Sequence, residues 1–227
     1  MTLRKLVPVL VLVLAAAVPL PARAVFFGNI QGGTDFPQGA VSFADQVVRY
    51  DPTILNGQPT LPNRGSDKAL GAPDYDGDPC NVAAQCQSVS LGDGGSITLR
   101  FVDNALTGSD SPAFDLWIFE VGPDIEDTFV EISTDGASWS SVGKVFGSTA
   151  GIDIDAFGFG ASSTFNYVRL TDDTNEGQQT GDSVGADIDA IGAISTIPVP
   201  EPASLALLLL GTTALATRRV RNDPKAH

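Results

Sequence analysis

Histidine is nearly missing from these 227 residues; the one copy, His227, is the final residue. With no imidazole in the body of the chain, Ser-His-Asp and Cys-His catalysis and histidine-ligated metal centres are excluded there. Basic residues are scarce as well. The chain holds 13 Lys and Arg against 27 Asp and Glu, a net charge of −14. Between Val25 and Ile197 the imbalance steepens to 25 acids against six bases. Such a surface repels nucleic acid and anionic lipid and argues against both as partners. It suits divalent cations and neutral or cation-bridged polysaccharide, and it equally suits an acidic coat kept for solubility.

Cysteine is limited to Cys80 and Cys86, in "CNVAAQC". The spacing is not C-x-x-C and no second ligand pair exists, which argues against zinc and redox roles. In an oxidising compartment the pair predicts a disulfide closing a short loop, worth roughly 2 kcal/mol by chain entropy.

The two ends of the chain differ from the rest. In "MTLRKLVPVLVLVLAAAVPLPARA", Arg4 and Lys5 precede an apolar run from Leu6 to Val18, and Ala22-Arg23-Ala24 supplies a small-x-small cleavage site. Residues 1–24 therefore read as a signal peptide for signal peptidase, with Val25 as the first mature residue. Near the other end, Pro198, Pro200 and Pro202 block a helix, and fourteen uncharged residues follow from Ala203 to Ala216. At 1.5 Å per residue they span roughly 21 Å, short of the ~30 Å hydrocarbon core. Arg218, Arg219 and Arg221 come next and should stay cytoplasmic.

Val199-Pro200-Glu201-Pro202, the apolar stretch and the arginine cluster together resemble the PEP-CTERM sorting signal of bacteria that make exopolysaccharide. The resemblance implies a tail over 196–227, with an apolar helix at 203–217 and a basic end at 218–227. It implies transient insertion in the inner membrane, cleavage by an exosortase near Pro200, Glu201 and Pro202, and delivery to the cell surface or extracellular matrix. His227 would be lost with that tail.

Helical periodicity is sparse between Val25 and Ile197, where short alternating runs are separated by Gly, Asp, Asn and Ser. Ile97, Leu99 and Phe101 alternate in "SITLRFV", Val130 and Ile132 in "FVEIS", Val168 and Leu170 in "YVRLTD". "FDLWIFEV" is apolar on both faces, as a central strand covered on both sides would be. Asp135-Gly136 predicts a hairpin turn. "FADQVVRY" fits a strand or a short helix, and "DPTILNGQPTLPNRGSDK" reads as a long loop. Asp-Ile-Asp-Ala occurs at 153–156 and again at 187–190, but two copies set no period.

"FVEISTDGASWSSVGKV", "FNYVRLTDD" and "ADIDAIGAI", preceded by "VSLGDGGSITLRF", resemble successive strands of discoidin domains. The resemblance implies an all-β fold, a galactose-binding-like jelly-roll β-sandwich over residues 41–195, after a lead-in at 25–40. It also implies a structural calcium.

Carboxylates are hard ligands suited to that ion. Asp187 and Asp189 alternate on one face of the closing strand, about 6.8 Å apart. Asp172 and Asp173 end the "YVRL" strand and reach the same rim if the strands are neighbours. Asp74, Asp76 and Asp78 imitate half an EF-hand loop, but Pro79 and Gln85 stand where Gly and Glu are required. A looser calcium loop and a solvated turn both remain open there. For sugar contact, Tyr75 and Trp139 are the aromatic candidates, while Trp117 reads as core. No reaction emerges. The expectation is a non-catalytic exported protein that binds polysaccharide or another surface component; the alternatives are an acidic scaffold without a ligand, or a carbohydrate-active hydrolase.

Overall fold

The computed structural model describes residues 24–52, 57–77, 80, 82, 85–122, 125–176 and 180–199. Asp78, the residues ahead of Ala24 expected to form a signal peptide, and the expected sorting tail from Pro200 through Glu201, Pro202 and the apolar stretch lie outside the described residues.

Alternation becomes strands. In chain order these are β1 (Val25–Asn29), β2 (Gly32–Phe36), β3 (Gln46–Asp51), β4 (Val89–Ser90), β5 (Ser96–Arg100), β6 (Asn104–Leu106) and β7 (Leu116–Glu120). They continue with β8 (Thr128–Ser133), β9 (Ser140–Val145), β10 (Thr149–Ile152), β11 (Tyr167–Asp172), β12 (Asp187–Ala193) and β13 (Thr196–Pro198). Among the described residues the helical elements are 3-10 turns at Gly39–Ser42, Leu61–Arg64, Ser66–Ala69 and Asp155–Phe157. One of these turns, Leu61–Arg64, falls inside the stretch read as a long loop, and Ser66–Ala69 begins at its end. "FADQVVRY" resolves as a strand, β3.

Two antiparallel sheets face each other. One has the order β10-β7-β12-β4, the other β3-β5-β11-β8-β9, and β1-β2 and β6-β13 form two smaller pairs. Successive strands change sheets repeatedly, the wiring of a jelly roll. The registers explain why three separate alternations build one core. Val168 pairs with Leu99 and Ile132, and Leu170 pairs with Ile97 and Val130, so all six point inward together. They meet Leu116 and Ile118 of β7 and Ile188 and Ile191 of β12 from the opposite sheet. Each such buried side chain stabilises the fold by about 1.5–3 kcal/mol.

β7 is central in its sheet, as its two-sided apolarity requires. Its outer face carries Phe119, which packs with Phe36, Phe43 and Ala190 in a second cluster, with Trp117 beside it. The lead-in at 25–40 supplies that cover: β1 and β2 form a hairpin laid on the sheet, with Phe27 and Phe36 edge-on at 6.1 Å. Gly192 permits the close approach, since a Cβ there would stand 2.5 Å from the Phe36 ring. Asp135 and Gly136 turn between β8 and β9. Asp135 accepts the N–H groups of Ala137 and Ser138, both at 2.8 Å, and Gly136 has φ of 74°.

Candidate functional site

Where β7 ends and β12 begins, loops from five parts of the chain surround an open cleft of about 520 Å³. Its walls come from the β1–β2 turn (Ile30, Gln31), the acidic loop at Tyr75, the segment before β4 (Gln87, Ser88), the residues after β7 (Val121, Gly122) and the approach to β12 (Asp182, Ser183, Asp187).

Side-chain amides brace these walls. The Gln31 amide donates to the Gly122 carbonyl at 2.8 Å and accepts the Gly122 N–H at 3.1 Å. Gln87 does the same for the acidic loop, donating to the Asp74 carbonyl at 2.8 Å and accepting the Asp76 N–H at 3.0 Å. Asn63 donates to the Asp182 carbonyl at 3.0 Å. Buried Asp189 accepts the Asp74 and Tyr75 N–H groups at 3.1 and 3.3 Å and the Asn29 amide at 2.8 Å. The Cys80–Cys86 disulfide closes the same loop, as its spacing predicts. Loops without regular secondary structure are thereby fixed before any ligand arrives, which lowers the entropy cost of binding.

Acids at this end are pushed away from their ordinary range. Burial raises Asp187 to about 7 against the opposing hydroxyls of Ser90 and Ser183, and the charge of Asp172 adds to the rise. Burial raises Asp189 to about 6 despite its three donors. Glu120, at the end of β7, is raised to about 10 by burial and then by Glu126 and Asp187. It is 2% exposed. At neutral pH it is a neutral acid inside the sandwich. Glu120 goes unnoticed in the sequence, although the acids bracketing the apolar run in "DLWIFEV" are a signal, because a carboxylate buried in apolar surroundings must neutralise.

Asp172, Asp173, Asp187 and Asp189, expected to share one calcium, are not brought together. A bulge between Ile188 and Ala190 interrupts the alternation that would align Asp187 with Asp189. Asp172 accepts the N–H groups of Gly94 at 3.0 Å and Ala186 at 2.8 Å. Asp173 grips Lys144 at 2.9 Å, together with Asp127 and, at 3.6 Å, Glu176. That contact and the Asn175 donors hold Asp173 below the usual carboxylate range. Separate protein donors already orient Asp172, Asp173 and Asp189.

Of the other candidates, Asp74 and Asp76 are exposed and contribute their backbone N–H groups to the bracing. Tyr75 lines the cleft. Trp139 does not: its ring is covered by the Arg169 guanidinium at 4.3 Å, and Arg169 also donates to Glu131 at 2.7 Å.

No protein-family model matches the chain, and no curated protein matches it. Among solved structures, the C-terminal domain of a chitobiase from Bacteroides fragilis is similar at 17% identity and a TM-score of 0.30, over 46% of this chain and 64% of that one. This chain thus spans less than two thirds of that domain. CpGH89CBM32-6 from Clostridium perfringens is similar at 12% identity and a TM-score of 0.35, over 69% of this chain and 98% of the other. Neither likeness is close enough to carry a residue or a ligand across.

Proposed function

We propose that the sandwich is a non-catalytic, galactose-binding-like module that takes a neutral polysaccharide in the cleft beside Tyr75. The observation that carries this reading is the cleft's make-up. It has braced loops, apolar Ile30 and Val121, the Tyr75 ring, and hydroxyls at Ser88 and Ser183, with no basic residue in its lining. A sugar ring presents an apolar face beside hydroxyls, which an aromatic ring with neutral polar neighbours complements. The signal peptide, the PEP-CTERM-like tail and the disulfide support an exported protein that meets glycan at the surface or in the matrix. Signal peptidase and an exosortase are its processing partners in this reading.

A hydrolase is less favoured. Glycoside cleavage needs two carboxylates flanking the bond. Two acids, Asp182 and Asp187, line the cleft, but Asp187 is engaged by the Ser90 hydroxyl, and the strongly shifted Glu120 lies outside the lining.

The test is binding of the purified protein to the producer's exopolysaccharide, with wild type and Tyr75→Ala side by side. Loss of stacking in the variant is expected to weaken binding about tenfold, roughly 1.4 kcal/mol. Equal binding by both would remove the cleft from the proposal. No binding by wild type would leave the acidic scaffold as the reading to pursue.

A further inference from the structure

The other end of β7 carries a second group of acids that neither the cleft nor the disulfide explains. Asp115 stands immediately before β7, and Asp153 and Asp155 follow β10, the strand paired with it through Ile152 and Leu116. Antiparallel pairing therefore brings the three acids to one strand end. One carboxylate oxygen from each lies within 4.8 Å of the others.

Asp115 is fully buried, at 0% exposure. Its Oδ2 accepts the Ile154 N–H at 3.0 Å, while its Oδ1 is buried without a hydrogen-bond partner. Its backbone is held on both sides, donating to Ile152 at 2.8 Å and accepting from Ile194 at 2.7 Å. An unpartnered buried carboxylate oxygen is costly, and two further acids within reach add repulsion. Burial raises the pKa of Asp115; the neighbouring Ser195 and Ser109 hydroxyls and the Ile154 N–H oppose that rise, and the charge of Asp155 adds to it.

The comparison that matters is internal. Asp127, Asp173 and Glu176 form the other group of three converging acids among the described residues, and Lys144 fills it. Among the described residues no Lys or Arg forms an ion pair with Asp115, Asp153 or Asp155. Backbone N–H groups and Ser109 donate to Asp115, Asp153 and Asp155, but among the described residues no protein cation offsets their charge, whereas Lys144 does so in the other group.

We propose that Asp115, Asp153 and Asp155 form a calcium site at the end of the sandwich away from the cleft. The donors are carboxylate oxygens on an irregular chain segment, with no nitrogen or sulfur ligand, which selects a hard cation with loose geometric demands. Bound there, calcium ties the turn after the edge strand β10 to the start of the central strand β7. The proposal stands on these residues and does not rest on the glycan reading.

The experiment uses the full chain stripped with chelator and then titrated with terbium, whose luminescence a nearby indole sensitises. Trp117 lies two residues along β7 from Asp115 and serves as that antenna. Wild type is expected to give saturable luminescence that calcium displaces, and a higher melting temperature in calcium than in chelator. Asp153→Asn, which retains an acceptor for the Asp155 and Ala156 N–H groups, is expected to lose affinity at least tenfold while melting like wild type in chelator. Asp155→Asn, whose two oxygens serve Ser109 and Asp110, is expected to lose affinity at least tenfold with a somewhat lower melt. Trp117→Phe should abolish the luminescence and keep the calcium-induced rise in melting temperature. Glu176→Gln, in the group filled by Lys144, should bind like wild type. Undiminished terbium and calcium binding in both Asp variants overturns the proposal, as does absence of both responses in wild type or a loss confined to Glu176→Gln.

Discussion

Asp115 and Glu120 stand at the two ends of β7, about 17 Å apart along the strand, and both side chains are buried. One strand thus separates two acidic neighbourhoods. At the Asp115 end, three carboxylates converge, and one Asp115 oxygen is buried without a hydrogen-bond partner. At the Glu120 end, burial keeps the acid protonated, and the next residues, Val121 and Gly122, enter the cleft wall. The apolar middle of the strand, Ile118 inward and Phe119 outward, isolates one end from the other.

The raised acids give the fold an unusual pH dependence. Glu120, Asp187 and Asp189 are raised to about 10, 7 and 6, above the ordinary carboxylate range. A carboxyl raised on folding binds protons more tightly in the native state, so its stabilisation is full below pH 4 and is lost as pH rises through the folded value. Asp135, lowered to about 2, and Asp173, also lowered, act oppositely, but only as pH falls below 4. In chelator, the melting temperature should therefore be higher at pH 5 than at pH 8, and Asp187→Asn should flatten that slope. A wild-type profile that rises from pH 5 to pH 8 would contradict these assignments.

The strands were legible and the site only in part. Alternation at Ile97–Leu99, Val130–Ile132 and Val168–Leu170 located three strands of the core, because a half-buried sheet imposes period two wherever it lies in the chain. The two-sided apolarity of "FDLWIFEV" marked the central strand. Tyr75 was picked out and does line the cleft. Gln31, Asn63 and Gln87 were not, because an amide that braces a loop across 91 residues, as Gln31 does to Gly122, leaves no local pattern. The bulge at Asp189 was invisible for the same reason: a one-residue slip depends on the partner strand. The Asp-Ile-Asp-Ala tetrapeptide shows the limit. Its first copy meets Asp115 and its second meets Ser90 and Asn29, so identical sequence carries different chemistry.

Lys144 holds three acids at once, and two of them, Asp127 and Asp173, are buried. Lys144→Met keeps the length of the stem and removes the charge. The uncompensated carboxylates should lower the melting temperature at pH 7. The loss should shrink toward pH 3, where the acids protonate and no longer need the ammonium. Parallel acid titrations of wild type and variant check this; an effect independent of pH would assign Lys144 a packing role instead.

Gly192 tests whether the β1–β2 hairpin belongs to the domain energetically. An added methyl would meet the Phe36 ring at 2.5 Å and the Phe43 ring at 2.9 Å, both locked in the outer cluster. Gly192→Ala is expected to cost about 1–3 kcal/mol, lowering the melting temperature by roughly 2–4 °C per kcal/mol. Proteolysis should then cut first near Gly28–Gly33, in the lifted hairpin. An unchanged melt and digestion pattern would mean that Phe36 contributes little to holding the sheet.

The disulfide links stability to the cleft through one neighbour. Cys86 is followed by Gln87, whose amide holds both Asp74 and Asp76 and so sets the position of Tyr75 between them. Opening a loop this short with Cys80→Ser and Cys86→Ser together should cost about 2 kcal/mol. Were that the whole effect, glycan affinity at 20 °C, well below the melt, would not change. However, the bond also keeps Gln87 in register with the acidic loop, and losing it restores conformational freedom that binding must remove again. Affinity is therefore expected to fall several-fold in the folded variant. Gln87→Ala, which leaves the disulfide intact, should reproduce the affinity loss with a smaller drop in melting temperature. Full affinity in both variants would show that Tyr75 is placed by Asp189 alone.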